Sequence, residues 1–357
     1  MRSVQEEYHL MKRLLTVVVA ALALGLALFV PLASAGTTAL VPAAQDQAEA
    51  DAYKAWYDAN AAKDYAKAMP LAKAYIEKFP TGKYADYLKK TWIPSIRGYF
   101  YKQAADAKNV AEVIRIGKEV LAEDPDNLDY LLALVVQIRA NELFANPPNY
   151  AHASEAADFS GHAIRLIEAG KAPAAADPKT PFNKGATLAY LHETMAKVNE
   201  GHAKSPDKAL ASYEKAAELD PANAAYFFHC GRIHNDKYAA AAQAYDAAQK
   251  KADAIPDAEK TAAEPKPEVK AAVDGAKAAL AEVNGQADAV IKCWARFLGL
   301  TAEKNTWGET RARILQAFTE LYKYRHNGST DGMDKLIDQN KQASPANSGA
   351  TNAAVKQ

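Results

Sequence analysis

Apolar side chains recur along this chain at the three- and four-residue spacing of helices, and no stretch alternates apolar with polar as a strand does. Val113, Ile114, Ile116, Val120 and Leu121 form one such stripe, which ends at Glu123-Asp124-Pro125-Asp126-Asn127. Proline cannot continue a helix and asparagine caps one, so this group stops one helix and opens the next. The following run, residues 128–138 (LDYLLALVVQI), is apolar nearly all round and predicts a helix buried between neighbours. Later segments read as a polar Ala-rich helix over 271–284, a strongly apolar one over 287–298, and a third over 306–324. The core face of that third helix takes Trp307, Ile314, Leu315, Phe318, Leu321 and Tyr322.

The punctuation repeats. Lys78-Phe79-Pro80-Thr81-Gly82 and Leu219-Asp220-Pro221-Ala222-Asn223 occupy the same place as the group at Pro125. Pro80 and Pro125 stand 45 residues apart, and Pro125 and Pro221 stand 96 apart, about twice as far. A diverged repeat with weakened punctuation near 173–178 (PAAADP) fits the longer interval, and such periodicity means stacked supersecondary units.

Ala209, Tyr213, Ala216 and Pro221 set a small residue, an aromatic four later, a small residue three later, and then proline. Phe227, Cys230, Gly231 and His234 follow with the spacing W-x2-L-G-x2-Y, each but the glycine substituted. In these positions the chain resembles the tetratricopeptide repeat family. Ala68, Ala72, Tyr75 and Pro80, and Val113, Gly117, Val120 and Pro125, keep the helix-ending part of the pattern. The resemblance covers residues 46–250 and departs from the family's 34-residue period. It implies an all-α fold, a right-handed superhelical stack of antiparallel helix pairs. It also implies that the first helix of each pair lines a concave groove for a protein or peptide partner. Carried onto this sequence, the groove positions are Leu132, Val136 and Arg139 in one unit and Phe228, Arg232 and Asn235 in another. The Lys and Asn pattern with which some members clamp a peptide's terminal carboxylate is missing.

Domain organisation follows. Residues 1–35 form a signal segment, 36–255 the repeat domain, 256–270 (charged and Pro-bearing) a linker or loop, 271–339 a C-terminal helical cap, and 340–357 a disordered tail. Met11-Lys12-Arg13 precedes the apolar run 14–30, Pro31 breaks it, and Ala33-Ser34-Ala35 offers the small-x-small site of signal peptidase. The competing reading is an uncleaved membrane anchor, because the run nearly spans a bilayer. Periplasmic or secreted location therefore has inner-membrane anchoring as its alternative.

Lys+Arg 43 against Asp+Glu 43 leaves no basic field for a phosphate backbone, so nucleic acid is not an expected partner. Cys230 and Cys293 stand alone, and in an oxidising compartment they either pair or remain free thiols. His192-Glu193 begins the zinc-protease motif H-E-x-x-H, but Ala196 stands where the second histidine belongs. Cys230 and His234 share a helical face as two metal ligands would, yet both occupy packing positions of the repeat. Trp56, Tyr57, Tyr99, Phe100 and Tyr101 suggest a ligand platform or, equally in keeping with a helical stack, fillers of holes between helices.

No cofactor, metal or catalytic set is expected on this reading. The function expected is that of an exported scaffold, with a membrane-anchored assembly or secretion factor and a metal-dependent hydrolase as the rivals. The exported protein is expected to be soluble and to begin at Gly36. N-terminal sequencing checks this, and recovery of full-length chain only in membrane pellets overturns it.

Overall fold

The computed structural model describes residues 43–174, 181–264, 266–303 and 307–341. The signal segment, the apolar run 14–30, part of 173–178 and the tail beyond Lys341 lie outside the described residues. Among those described, every regular element is helical. They divide into two compact units: one runs to His152 and adds Ala169–Phe182, the other takes Ala153–Glu168 and everything from Asn183.

The N-terminal unit holds α1 (Ala43–Ala61), α2 (Tyr65–Lys78), α3 (Ile93–Asp106), α4 (Val110–Glu123) and α5 (Leu128–Ile138). A short helix, Ala85–Tyr87, and a π-helical turn, Leu88–Trp92, lead into α3, and a second π-helical turn, Arg139–Leu143, continues α5. The C-terminal unit holds α6 (Ala153–Glu168), α7 (Lys184–Gly201), α8 (Pro206–Leu219), α9 (Ala224–Asp253), α10 (Pro267–Leu300), α11 (Gly308–Arg325) and α12 (Met333–Gln339). Within each unit most helices pack on the next in the chain.

The punctuation works as read, and with one geometry. Phe79, Asp124 and Asp220 each end a helix at φ −129°, −137° and −136°, ψ 66°, 85° and 77°. Each precedes a proline, whose Cδ clashes with an α-helical predecessor and drives it out of the helical well. Each still donates its N–H to the residue four back, and its own carbonyl accepts from Gly82, Asn127 or Asn223 at 2.9, 3.1 and 3.2 Å. Asn127 and Asn223 then cap α5 and α9 through their side chains.

A second corner had not been singled out from the sequence. Lys63, Lys108 and Lys204 sit in the left-handed region at φ 58°, 55° and 51°, each between an alanine and Asp64, Asn109 or Ser205. These lysines repeat at the same 45- and 96-residue intervals as the prolines. Ala-Lys-(Asp/Asn/Ser) therefore opens α2, α4 and α8, and proline closes all three after 14 helical residues. Helices α5 and α6 fall in the long interval, where the diverged repeat was expected.

The small positions of the repeat pattern pack as such. Ala68, Ala72, Tyr75, Val113, Gly117, Ala209, Tyr213 and Ala216 are all buried. A Cβ on Gly117 would lie 2.6 Å from Leu134 of α5, so the α4–α5 approach depends on its absence.

The C-terminal segment departs from expectation. The stretches 271–284 and 287–298 are one helix, α10, running unbroken through Gly285. Glycine costs about 1 kcal/mol in a helix interior, but Ala276, Val283, Ala287, Val290 and Trp294 keep one buried stripe in phase across it. The expected linker 256–270 is the bend of a hairpin: a single turn at Asp257–Lys260, after which Pro267 starts α10. α10 returns along α9, so 271–339 is no separate cap but part of the unit that contains α7 to α9. Asn340, assigned to the tail, closes α12 and accepts a hydrogen bond from Arg296 at 3.2 Å through its carbonyl.

Gly231 lies at the α9–α10 contact: a Cβ there would stand 2.2 Å from Trp294 Cδ1. Gly285, on the partner helix, has nothing within 4 Å of its would-be Cβ. Gly231→Ala is expected to destabilise by about 1–3 kcal/mol through overpacking, and Gly285→Ala to stabilise by about 0.5–1 kcal/mol. Urea titration of both variants checks the pair, and equal midpoints overturn the assignment of Gly231 to the contact.

Candidate functional site

Of the six groove positions, Leu132, Val136 and Arg139 lie inside the protein, 7%, 3% and 4% exposed. The carry-over treated one face of α5 as outward. The helix is apolar on nearly its whole circumference, however, and folding covers all of it. Arg139 stacks its guanidinium 3.7 Å over the Phe144 ring. In the C-terminal unit Phe228 packs against Phe297 and Trp307 at 5.7 and 5.3 Å, which makes it part of the α9–α10–α11 core rather than a free contact. Arg232 pairs with Glu200 and, at 3.4 Å, with Asp236, so its guanidinium is engaged within the unit. Asn235 is half-buried one position away. The structure does not assemble these residues into an open face within either unit.

Arg232 belongs instead to a tight polar cluster. Glu200, near the end of α7, accepts from Arg232 and from the Tyr213 hydroxyl at 3.1 Å. The Tyr213 ring is fully buried and lies flat on His229, centroids 4.6 Å apart and planes 3° from parallel. Burial, then Glu200, hold the Tyr213 hydroxyl well above its ordinary value, so it stays a donor. Glu200 also stands 4.0 Å from His229 Nδ1, yet burial and the Arg232 charge outweigh it and push the imidazole down to about 3. The N-terminal unit repeats the device: buried Tyr75 donates to Glu49, which also accepts the Lys83 N–H at 2.8 Å. Burial and that bond raise Tyr75 to about 12. Both tyrosines fill holes between helices and fasten their polar tips to a neighbouring carboxylate, which is structural chemistry.

His192 is part-buried between helices, its pKa lowered by burial, with Glu193 buried beside it. His234 Nδ1 lies 2.8 Å from Gln286 Oε1. Among the described residues no three His, Cys, Asp or Glu converge to hold a metal ion, and no helix is long and apolar enough to cross a membrane.

The aromatic set divides in two. Trp56 and Tyr101 are buried hole-fillers, whereas Tyr57 and Tyr99 stand out at the surface. Trp56 is the floor of an aromatic surface on α1 and the Ala85–Tyr87 turn. Trp92 meets its ring edge-on at 5.3 Å and donates through Nε1 to Asn60 at 2.8 Å. Tyr57 and Tyr87 contact Trp56 at 6.4 and 6.2 Å, and they are 51% and 48% exposed. Tyr53 stacks on Tyr84, centroids 3.7 Å apart, and Lys83 lies 5.4 Å from the Tyr84 ring. Two consecutive aromatics at 56 and 57 were visible in the sequence, but the contribution of Tyr84 and Tyr87 comes only from the turn that follows Gly82.

Comparison with known protein families, with curated proteins and with solved structures yields no match.

His229 generates a test of the polar cluster. An unfolded chain protonates its histidine near pH 6.5, whereas the folded chain refuses the proton down to about 3. Between those values the unfolded state binds more protons, so stability falls with pH, by at most about 1.4 kcal/mol per pH unit. His229→Phe keeps the stacked ring and removes the proton site. Thermal melts from pH 7 to 4.5 are expected to show a smaller acid loss in the variant, and parallel curves overturn this.

Proposed function

We propose that this chain is an exported helical-repeat adaptor, similar in its unit to tetratricopeptide proteins, that holds a protein segment on its N-terminal unit. The observation that carries this reading is the aromatic surface, on which Tyr57 and Tyr87 stand half-exposed on buried Trp56. A tyrosine already packed along one side loses little rotamer freedom on binding. It presents both an apolar ring and a hydroxyl, the combination that dominates protein interfaces. The repeated corners and small buried positions support the tetratricopeptide-like unit. The signal segment supports export, with release after Ala35 or retention by residues 14–30 as the two forms. The partner face moves from the groove positions, half of which are buried, to the tyrosines.

Tyr57→Ala with Tyr87→Ala is expected to weaken capture of an envelope-extract partner at least tenfold, as loss of interface hot spots does, with circular dichroism unchanged. Arg232→Ala is expected to leave capture intact. Undiminished capture by the tyrosine variant, or its loss only on truncation after residue 266, overturns the assignment.

A further inference from the structure

Cys230 and Cys293 sit at one level of the α9–α10 hairpin, far from its bend. Their neighbours fix the helix approach there. Gly231 has no Cβ, and the Trp294 ring fills the place that one would occupy, 2.2 Å away. Cys230 and Cys293 are the residues just before those two, and Cys293 packs against the buried cluster that contains Cys230, which places both thiols in one core. Both are free cysteines here, Cys230 buried and Cys293 half-buried.

We propose that Cys230 and Cys293 are a built redox site, oxidised to an intramolecular disulfide by a low-molecular-weight or protein disulfide of the compartment the chain enters. Cys293 is the entry thiol because it is the more exposed, and as acceptor of the Cys230 S–H its thiolate is favoured, while burial and donation hold Cys230 protonated. The Cys293 thiolate attacks one sulfur of the incoming disulfide R–S–S–R, forming a mixed disulfide and expelling R–S⁻, which takes up the proton that Cys293 lost. Cys230 then gives its proton to solvent, and its thiolate attacks the Cys293 sulfur and expels the second R–S⁻, which is protonated in turn. The protein loses two protons and two electrons, and the oxidant becomes two R–SH. The new bond closes a 63-residue loop containing the whole bend of the hairpin, and it staples α9 to α10 where Trp294 already seats on Gly231.

The test uses full-length purified protein and oxidised glutathione. Non-reducing peptide mapping is expected to find the Cys230 and Cys293 peptides joined, with a mass loss of two hydrogens that dithiothreitol reverses. The melting temperature is expected to rise by about 5–15 °C on oxidation. Cys293→Ser, shown folded by circular dichroism, is expected to give no rise, and Cys230→Ser to stop at the glutathione adduct on Cys293. Two thiols still alkylatable after oxidation, a glutathione adduct that persists in the wild type, or a dimer linked between chains each overturns the proposal.

Discussion

A residue that precedes proline is disfavoured in the helical conformation, and three helices of this protein end where that constraint acts. Phe79, Asp124 and Asp220 leave the helix at almost the same φ and ψ, turn the chain through one i to i+3 hydrogen bond, and hand it to the next helix. Proline alone does not decide the stop, because Met69 before Pro70 and Ile93 before Pro94 remain helical; at the three corners the i to i+3 bond completes it. Because a left-handed lysine opens each of the same helices, their length is fixed from both ends. Within these helices Ala68, Ala72, Ala209 and Ala216 are fully buried, and Gly117 meets Leu134 where a Cβ would collide.

Close approach leaves holes beside the small residues, and the two units fill one each with a tyrosine. Tyr75 and Tyr213 bury their rings and must satisfy their hydroxyls, since an unpaired buried hydroxyl costs about 1–3 kcal/mol. Glu49 and Glu200 supply the acceptor from the preceding helix. Each glutamate then takes a second donor, the Lys83 N–H in one case and Arg232 in the other. Arg97 bonds Glu123 in a two-pronged pair across α3 and α4. Arg296 reaches the carbonyl of Pro221 at 3.1 Å, fastening α10 to the corner between α8 and α9. Three of these four acceptors, Glu200, Glu123 and the Pro221 carbonyl, lie at or near corners, whereas Glu49 lies within α1.

The helical class, the corners at Pro80, Pro125 and Pro221, and the buried small positions were legible because they rest on local chemistry: proline sterics, asparagine capping and apolar spacing. Composition misled at α10, where Asn284-Gly285-Gln286 reads as a break. Only the partner helix α9 reveals that one buried stripe passes through it. The groove positions failed for a related reason. Spacing tells which residues share a face of α5, but not whether anything covers that face, and an all-apolar helix leaves no face uncovered. Tyr57 was noticed beside Trp56, yet Tyr87 lies 30 residues further on and reaches the same Trp56 ring only through the short turn Ala85–Tyr87. Long-range placement of that sort leaves no mark in periodicity.

What remains at the surface constrains how a partner is met. Many exposed charges are tied to an opposite charge one turn away, as in Lys54 with Asp58, Lys90 with Asp86 and Lys270 with Asp274. Such exposed pairs are screened by water and add little to stability. With a formal net charge of +0, the chain has no net charge with which to steer a partner. If a segment is held on Tyr57 and Tyr87 as proposed, its affinity comes from contact and desolvation and is expected to persist as salt rises. An electrostatically guided adaptor would instead lose its partner as ionic strength increases. On the proposed reading, the locally paired charges and the half-exposed tyrosines act together, so that a partner is selected by contact rather than by a field at a distance.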